Sequence, residues 1–205
     1  LSFLVGGILA LAAGLSSCGG EAPADSAKTQ AILDMKRATD HHSYSRPEEA
    51  VVTHLNWNAA VDFDTRVITA TATYDIETAE DAERIIFECT NLTMQAVRVD
   101  GESVDFELGP AQRFIGQPLS FPVSGESRQV SIDYQSSPEA GALLWVEGDN
   151  PFLFTQSQAI LARTWIPCQD STGIRFTYEA HVDVPQGTMA QMSATNTTAQ
   201  SANGH

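Results

Sequence analysis

The sequence is poor in basic residues, and this shortage excludes some functions. Only 11 Lys and Arg stand against 26 Asp and Glu in 205 residues, which gives a formal net charge of −15. Such a surface repels phosphate backbones, so nucleic-acid binding is not expected. Solubility alone accounts for this acidity, although an acidic surface would also attract cationic peptides. A hydrophobic content of 42% indicates a globular chain with room for one core.

The chain also lacks the signatures of a metal site or a nucleophilic catalytic site. None of its five His is followed by Glu-x-x-His, the spacing that puts two zinc ligands on one helix face. His41 and His42 are adjacent, and in an extended segment their side chains point apart, which makes a poor metal site. No Cys-x-x-Cys, Ser/His/Asp or Cys/His arrangement is evident. We therefore expect neither a catalytic residue nor a metal ligand in this chain.

The first 18 residues are typical of an export signal. An apolar run of small and aliphatic residues ends in Leu-Ser-Ser-Cys at Cys18, which resembles the lipobox of bacterial lipoproteins. The alternative is a transmembrane anchor, but the run is short for the about 20 apolar residues that a span needs. We predict a lipoprotein-type signal at 1–18, lipidation of Cys18, and an exported protein, periplasmic or at the cell surface, that lipid anchors to a membrane. Residues 19–41 are small, polar and charged, which predicts a flexible linker.

From residue 42 onward, apolar residues alternate with polar ones, as in strands that bury one face. Asp100-Gly101 lies between two such runs and predicts a tight hairpin, because both turn residues need positive φ. No long helical period interrupts the pattern. The sequence predicts an all-β domain at 42–205, built as an antiparallel sandwich or saddle. Its polar end at 195–205 is either disordered or a surface loop with further chain after it.

Two cysteines remain if Cys18 carries lipid. An exported compartment permits a disulfide between Cys89 and Cys168. The sequence does not show whether these two residues meet, and a pair of buried free thiols is the other interpretation.

Several segments of the chain carry a resemblance through their order and spacing. They are 58–63 with 68–72, 97–101 with 106–109, 134–138 with 142–145, then Gln156-Ser157-Gln158-Ala159, Pro167-Cys168-Gln169-Asp170, and 192–194. Together they resemble the N-terminal domain of the zinc aminopeptidases of peptidase family M1, most closely the leukotriene-hydrolase branch. That branch is expected to carry His where this chain has Leu161, so epoxide hydrolysis is not implied.

The resemblance implies a saddle-shaped, non-catalytic β domain that packs on a separate catalytic domain, where two His and a Glu hold zinc. The expected protein is a secreted or lipid-anchored zinc aminopeptidase, which removes N-terminal residues from peptides. In this family a loop of the N-terminal domain binds the free amine of the substrate. That contact falls on Gln158, with Ser157 and Ala159 beside it. The expected partners are the peptide N-terminus, the missing catalytic domain and a membrane.

Each residue of this segment has an expected role. A Gln158 carbonyl oxygen can accept from an ammonium group, although the same side chain could instead hold the backbone of its own loop. Gln156 is expected to be structural and to bond loop carbonyls. Arg163 is expected to pair with Asp170, and Trp165 to fill the core or a domain interface.

Two strings of the family are missing from this chain, namely His-Glu-x-x-His and the amine-binding Gly-x-Met-Glu-Asn. We therefore expect no cofactor in this chain, zinc in the missing catalytic domain, and a sequence cut short at its C-terminal end. The alternative is a stand-alone lipoprotein β-domain that acts as a binding or interaction module. Such a module would need a polar surface where the enzyme buries a domain interface.

Overall fold

The computed structural model describes residues 40–196, so the predicted leader at 1–18 and most of the predicted linker at 19–41 lie outside the described range. The strands are β1 (Ala50–Asp62), β2 (Val67–Thr78), β3 (Arg84–Cys89), β4 (Thr93–Val99), β5 (Glu102–Ser103), β6 (Glu107–Leu108), β7 (Gln117–Pro122), β8 (Gln129–Gln135), β9 (Leu143–Val146), β10 (Phe152–Thr155) and β11 (Thr177–Asp183). Within the described residues, the helical structure is a single 3₁₀ turn at Ala162–Thr164. The predicted all-β class is confirmed.

Six strands form the main sheet, in the order β11-β1-β2-β8-β4-β5. The long β1–β2 hairpin turns where the Asp62 carboxylate accepts hydrogen bonds from the amides of Asp64 at 2.8 Å and Thr65 at 3.1 Å. The predicted hairpin between β4 and β5 is confirmed, since Asp100 (φ 50°) and Gly101 (φ 88°) both lie at positive φ.

A second sheet covers one face of the first. It consists of β3, β7 and β6, while β9 and β10 form a separate hairpin. Aromatic rings join the two sheets, since Tyr74 of β2 lies 5.1 Å from Phe87 of β3, which stacks on Phe121 of β7 at 5.7 Å between centroids. Both sheets contribute to one hydrophobic core. The architecture is therefore two sheets around a shared apolar layer.

The purely antiparallel arrangement predicted from the sequence is wrong at one edge. β11 pairs with β1 in parallel, from Thr177 opposite His54 to Asp183 opposite Ala60. A parallel pair needs a long connection, and the chain from β2 to β10 supplies it here. Alternating burial along a strand does not reveal the direction of its neighbour, which is why the sequence pattern missed this pairing.

Two further expectations stay predictions, the saddle shape and the domain boundary at residue 42. Asp40 already contacts the folded domain, because its carboxylate accepts a hydrogen bond from Ser171 Oγ at 2.8 Å. The domain contacts therefore extend two residues ahead of the predicted boundary.

Candidate functional site

The loop after β10 carries the residues predicted to bind a substrate amine, and residues 156–161 are called the glutamine loop below. The Gln156 N–H donates at 2.8 Å to the carbonyl just before β9, and the Leu161 N–H donates at 2.9 Å to the Ser157 carbonyl. The Gln156 side chain turns into the loop, where its Oε1 accepts from the Gln158 N–H at 3.1 Å. Gln156 is structural, as predicted, but it bonds to an N–H rather than to carbonyls.

Gln158 and Ala159 are exposed, Ser157 is half-buried, and the peptide bond between Gln158 and Ala159 is cis. Gln158 takes part in the loop through its backbone N–H, and the described residues place no hydrogen-bond partner on its side chain. Its amide oxygen is therefore available to accept from a cation such as an ammonium group. The task of holding the loop backbone belongs to Gln156.

Aromatic side chains support the glutamine loop from the core. Trp165 Nε1 donates to Ser157 Oγ at 3.0 Å, and the Trp165 ring meets the Trp57 ring edge-on at 5.3 Å. Trp57 Nε1 in turn donates at 2.9 Å to the hydroxyl of Tyr134, which is fully buried. Ser157 is thereby fixed to the main sheet through two indole rings, and Trp165 is a half-buried packing residue of the domain.

Arg163 is buried, with 1% of its surface exposed, and its guanidinium group donates four hydrogen bonds. Nε donates to Asp170 Oδ2 at 2.9 Å, and Nη2 donates to the Asp170 carbonyl at 2.7 Å. Nη1 donates to the carbonyls of His42 at 3.1 Å and Ile115 at 2.6 Å. The predicted pairing of Arg163 with Asp170 is confirmed. Since a buried charge needs partners, Arg163 fixes three distant segments to one another.

A second buried charge, Glu88 on β3, was missed by the sequence reasoning. Its Oε1 accepts from the amides of Tyr44 at 2.6 Å and Ser45 at 3.0 Å and from Ser43 Oγ at 2.8 Å, while Oε2 accepts from the Asp170 amide at 2.7 Å. The available signal was an acidic residue within the strand-like run Ile-Ile-Phe-Glu-Cys. An unpaired carboxylate there would be costly, so partners were required.

The Pro-Cys-Gln-Asp turn is bonded at every residue. The Pro167 carbonyl accepts from the Tyr74 hydroxyl at 2.5 Å, and Cys168 pairs with Glu88 through both backbone groups. Gln169, 1% exposed, accepts at Oε1 from the Val52 amide at 3.0 Å and donates from Nε2 to the Ala50 carbonyl at 2.9 Å. We call the four polar residues of this region the polar clamp: Glu88, Arg163, Gln169 and Asp170.

The two cysteines of the described range, Cys89 and Cys168, are buried free thiols. Burial raises the pKa of Cys89 to about 12 and also raises the pKa of Cys168. Both thiols are therefore protonated at neutral pH, a state in which cysteine is a poor nucleophile.

The described residues also bear on metal binding and membrane spanning. Between residues 40 and 196, no group of three or more His, Cys, Asp or Glu could hold a metal ion, so these residues do not fit a zinc site. No helix in the same range is long and apolar enough to cross a bilayer.

The chemical group that the glutamine loop offers to a ligand is the exposed Gln158 amide, on a backbone that Gln156 and Ser157 hold in place.

Comparison with known sequences shows clear relatives. Leukotriene A-4 hydrolase of Xenopus laevis is 35% identical over 167 residues, which is 76% of this chain and 27% of that protein. Leucine aminopeptidase 2 of Candida albicans is 30% identical over 158 residues, covering 74% of this chain and 25% of that protein. The chain thus spans about a quarter of the length of these relatives.

Solved structures share the fold. Yeast LTA4 hydrolase in complex with bestatin superimposes with a TM-score of 0.68 at 22% identity, over 75% of this chain and 27% of that one. An M1 zinc metallopeptidase of Deinococcus radiodurans bound to Tyr-Ser-Ala gives a TM-score of 0.52 at 16% identity, over 67% of this chain and 33% of that one. The family model described as the peptidase M1 N-terminal domain matches residues 51–205. The chain therefore belongs to the peptidase M1 family and corresponds to its N-terminal domain.

Proposed function

We propose that this chain is the substrate-orienting N-terminal part of a zinc aminopeptidase, and that Gln158 accepts a hydrogen bond from the free α-ammonium of a peptide. The observation that carries the proposal is the division of labour in the glutamine loop. Both side chains are exposed, but the Gln156 amide accepts a hydrogen bond from the loop backbone, whereas the Gln158 amide has no such partner among the described residues. Because the loop backbone is already fixed, binding has to order only the Gln158 side chain, which lowers the ordering cost.

The chemistry of the amide sets the strength of the contact. A neutral carbonyl oxygen is a weaker anchor for an ammonium group than a carboxylate, because charge-assisted bonds with two charges are stronger. The formal net charge of −15 would add a general attraction for cationic peptide ends. Zinc and the hydrolytic residues belong, in this proposal, to the part of a longer protein that follows the described domain.

The amine contact is tested in a chimera in which residues 40–196 replace the N-terminal domain of the Xenopus leukotriene A-4 hydrolase. Gln158→Ala should raise KM for an aminoacyl p-nitroanilide about tenfold, equivalent to ~1.4 kcal/mol. Gln158→Glu should lower KM, because it supplies a charged acceptor. The control is Gln186→Ala, an exposed glutamine outside the glutamine loop. Equal KM values for Gln158→Ala and Gln186→Ala would reject the amine contact.

Export and lipid anchoring form a separate part of the proposal. Its support is the Leu-Ser-Ser-Cys string that ends the apolar run at Cys18, which lies outside the described residues. Mass spectrometry of the membrane-extracted protein should find a mature chain that begins at Cys18 and carries acyl groups. Cys18→Ser should move the protein out of the membrane fraction. An unmodified Cys18 in an intact leader would reject lipidation.

A further inference from the structure

A cavity of about 560 Å³ opens on the face of the second sheet that is turned away from the core. Ile85 of β3 points into the core, so Arg84 and Ile86 point to the other face. In the register, Ser120 of β7 lies opposite both Ile86 and Glu107 and therefore shares their face. We call the space between Arg84 and Glu107 the outer cavity. Pockets that bind small molecules measure about 300–1,000 Å³, so its size suits a ligand.

One wall of the outer cavity is fixed by a buried charge. Tyr44 and Arg46 line this wall. The Glu88 carboxylate holds it, because it accepts from the Tyr44 N–H at 2.6 Å and from the Ser45 N–H at 3.0 Å. Arg46 is paired with Glu49 at 3.0 Å. The wall is therefore held in place without a ligand, and Arg46 is not a free charge of the cavity.

The outer cavity contains one unpaired charge of each sign. Arg84 and Glu107 both line it and are exposed, and neither side chain has a hydrogen-bond or ion-pair partner among residues 40–196. Four other arginines of this range are in ion pairs, namely Arg46, Arg66, Arg98 and Arg163. A free guanidinium group suits a carboxylate, and a free carboxylate suits an ammonium group. The two charges together fit a ligand with a carboxylate at one end and an ammonium group at the other.

The separation of the two charges sets the length of the ligand. β7 lies between β3 and β6, so the axes of these outer strands are about 10 Å apart. Arg84 lies two residues, about 7 Å, from the position on β3 that aligns with Glu107, which puts the two Cα atoms about 12 Å apart. An extended tripeptide spans about 10 Å, whereas a free amino acid carries both charges on one residue. A peptide of two or three residues therefore reaches both groups.

The lining between the two charges suits the middle of such a peptide. Ile86, Leu108 and Pro118 supply apolar surface there, and Leu108 is 43% exposed. The Ser120 hydroxyl has no hydrogen-bond partner in the described part of the chain. It is therefore free to donate to a peptide carbonyl or to accept from a peptide N–H. An apolar side chain and a peptide group of the ligand both find matching groups in the cavity.

We propose that the outer cavity binds a peptide of two or three residues by its two free ends. The Arg84 guanidinium group binds the terminal carboxylate, and the Glu107 carboxylate binds the terminal ammonium group. An apolar side chain of the peptide packs on Ile86 and Leu108. None of the residues that line the cavity belongs to the glutamine loop. The site is therefore additional to the amine contact proposed for Gln158, and it recognises the length of a peptide as well as its amino end.

Calorimetric titration of the 205-residue chain with the tripeptide Ala-Leu-Ala tests the site. The tripeptide should bind about tenfold more tightly than free leucine. Arg84→Gln and Glu107→Gln should each weaken its binding about tenfold. The controls are Arg175→Gln and Glu102→Gln, at exposed residues outside the cavity, and both should bind the tripeptide as the wild type does. Equal affinities of the Arg84→Gln and Arg175→Gln proteins would overturn the proposal, as would equal affinities for the tripeptide and for leucine.

Blocked peptides assign each end of the ligand to its residue. Acetylation of the amino end should weaken binding to the wild type about tenfold and leave the affinity of Glu107→Gln unchanged, because that variant has already lost the contact. Amidation of the carboxyl end should do the same for the wild type and Arg84→Gln. A variant with a merely distorted fold would not show this pattern. Equal effects of acetylation on the wild type and on Glu107→Gln would overturn the proposal.

Gln158→Ala distinguishes this site from the proposed amine contact. The variant should bind Ala-Leu-Ala as the wild type does, because Gln158 does not line the outer cavity. Binding that is lost in Gln158→Ala and kept in Arg84→Gln would overturn the outer cavity and support the amine contact. Binding that is lost in Arg84→Gln, together with a wild-type KM for Gln158→Ala in the chimera, keeps the outer cavity and removes the amine contact. If the 205-residue chain does not stay in solution, the chimera replaces it in every titration, with a metal chelator present to prevent hydrolysis.

Discussion

The glutamine loop is followed closely in the sequence by three of the four polar-clamp residues, Arg163, Gln169 and Asp170, yet the two regions use polar side chains in opposite ways. In the polar clamp, Arg163 and Gln169 are 1% exposed and bonded at nearly every donor and acceptor. In the glutamine loop, Gln158 is exposed and its side chain has no protein partner in the described range. The difference shows that burial decides the role of a polar residue in these strand-like surroundings. A buried polar group must be hydrogen-bonded within the protein, whereas an exposed one can be left free for a ligand.

Removal of the buried Arg163 cation should cause the largest loss of stability among the variants of these two regions. Arg163→Met keeps much of the side-chain volume but leaves the Asp170 carboxylate without its guanidinium partner and three backbone carbonyls, those of His42, Ile115 and Asp170, without their donor. We expect a loss of about 3–5 kcal/mol in the free energy of unfolding, since one member of a buried pair is removed. Urea unfolding followed by tryptophan fluorescence measures it. Arg113→Met, at an exposed arginine stacked on Phe114, is the control and should change stability by less than about 0.5 kcal/mol.

Loss of the buried carboxylate charge should come next. Glutamine has the same shape as glutamate, but in Glu88→Gln the NH₂ group faces an N–H or O–H donor from which a carboxylate oxygen had accepted a hydrogen bond. We expect a loss of about 2–3 kcal/mol, measured by the same urea titration. The exposed Glu107→Gln is the control. A Glu88→Gln protein as stable as wild type would show that these hydrogen bonds to Glu88 do not need the carboxylate charge for folding.

Gln169 and Gln158 allow the stability effects of a buried and an exposed glutamine to be compared directly. Gln169→Ala leaves the Val52 amide and the Ala50 carbonyl without partners and should cost about 1–3 kcal/mol. Gln158→Ala touches no bonded side chain and should change stability by less than about 0.5 kcal/mol. Thermal and urea unfolding of both variants measure the difference. Equal losses would mean that the glutamine loop is as structural as the polar clamp.

The smallest effect is an alkaline loss of stability from the buried thiols. Burial raises the folded-state pKa of Cys89 to about 12, against about 8.5 for an unfolded thiol. The thiol therefore contributes its full stability below about pH 8.5 and loses it as pH rises toward the folded pKa, by about 1 kcal/mol between pH 8.5 and 9.5. Urea titrations of a Cys18→Ser chain across this interval test the slope. The same chain with Cys89→Ala should show a shallower dependence.

Local signals in the sequence were sufficient for the strands and for one tight turn. The alternation in 67–76 and 129–134 predicted β2 and β8, because strands that bury one face repeat every two residues. Asp100-Gly101 predicted its hairpin because both residues tolerate positive φ. The Arg163–Asp170 pair could be predicted because the two residues lie close together in the sequence.

Features that depend on distant segments could not be predicted in the same way. The parallel pairing of β11 with β1 joins residues more than 120 positions apart, and neither strand encodes the direction of its neighbour. Glu88 could be suspected of having partners, but the donors come from 43–45 and from Asp170, which nothing local indicates. The outer cavity was likewise invisible, since strands that are distant in the sequence bring Arg84 and Glu107 to one face.

The amide of Gln169 completes an edge that no strand reaches. β11 pairs with β1 only from His54 onward, and ahead of that point Gln169 bonds the Val52 N–H and the Ala50 carbonyl. These two groups are the ones that a peptide unit of a parallel neighbour would bind, so one side chain stands in for the missing end of a strand. Because Ala50, Val52 and Gln169 are each at most 2% exposed, loss of this amide leaves two buried backbone groups unpaired, and this end of β1 should open before the rest of the main sheet.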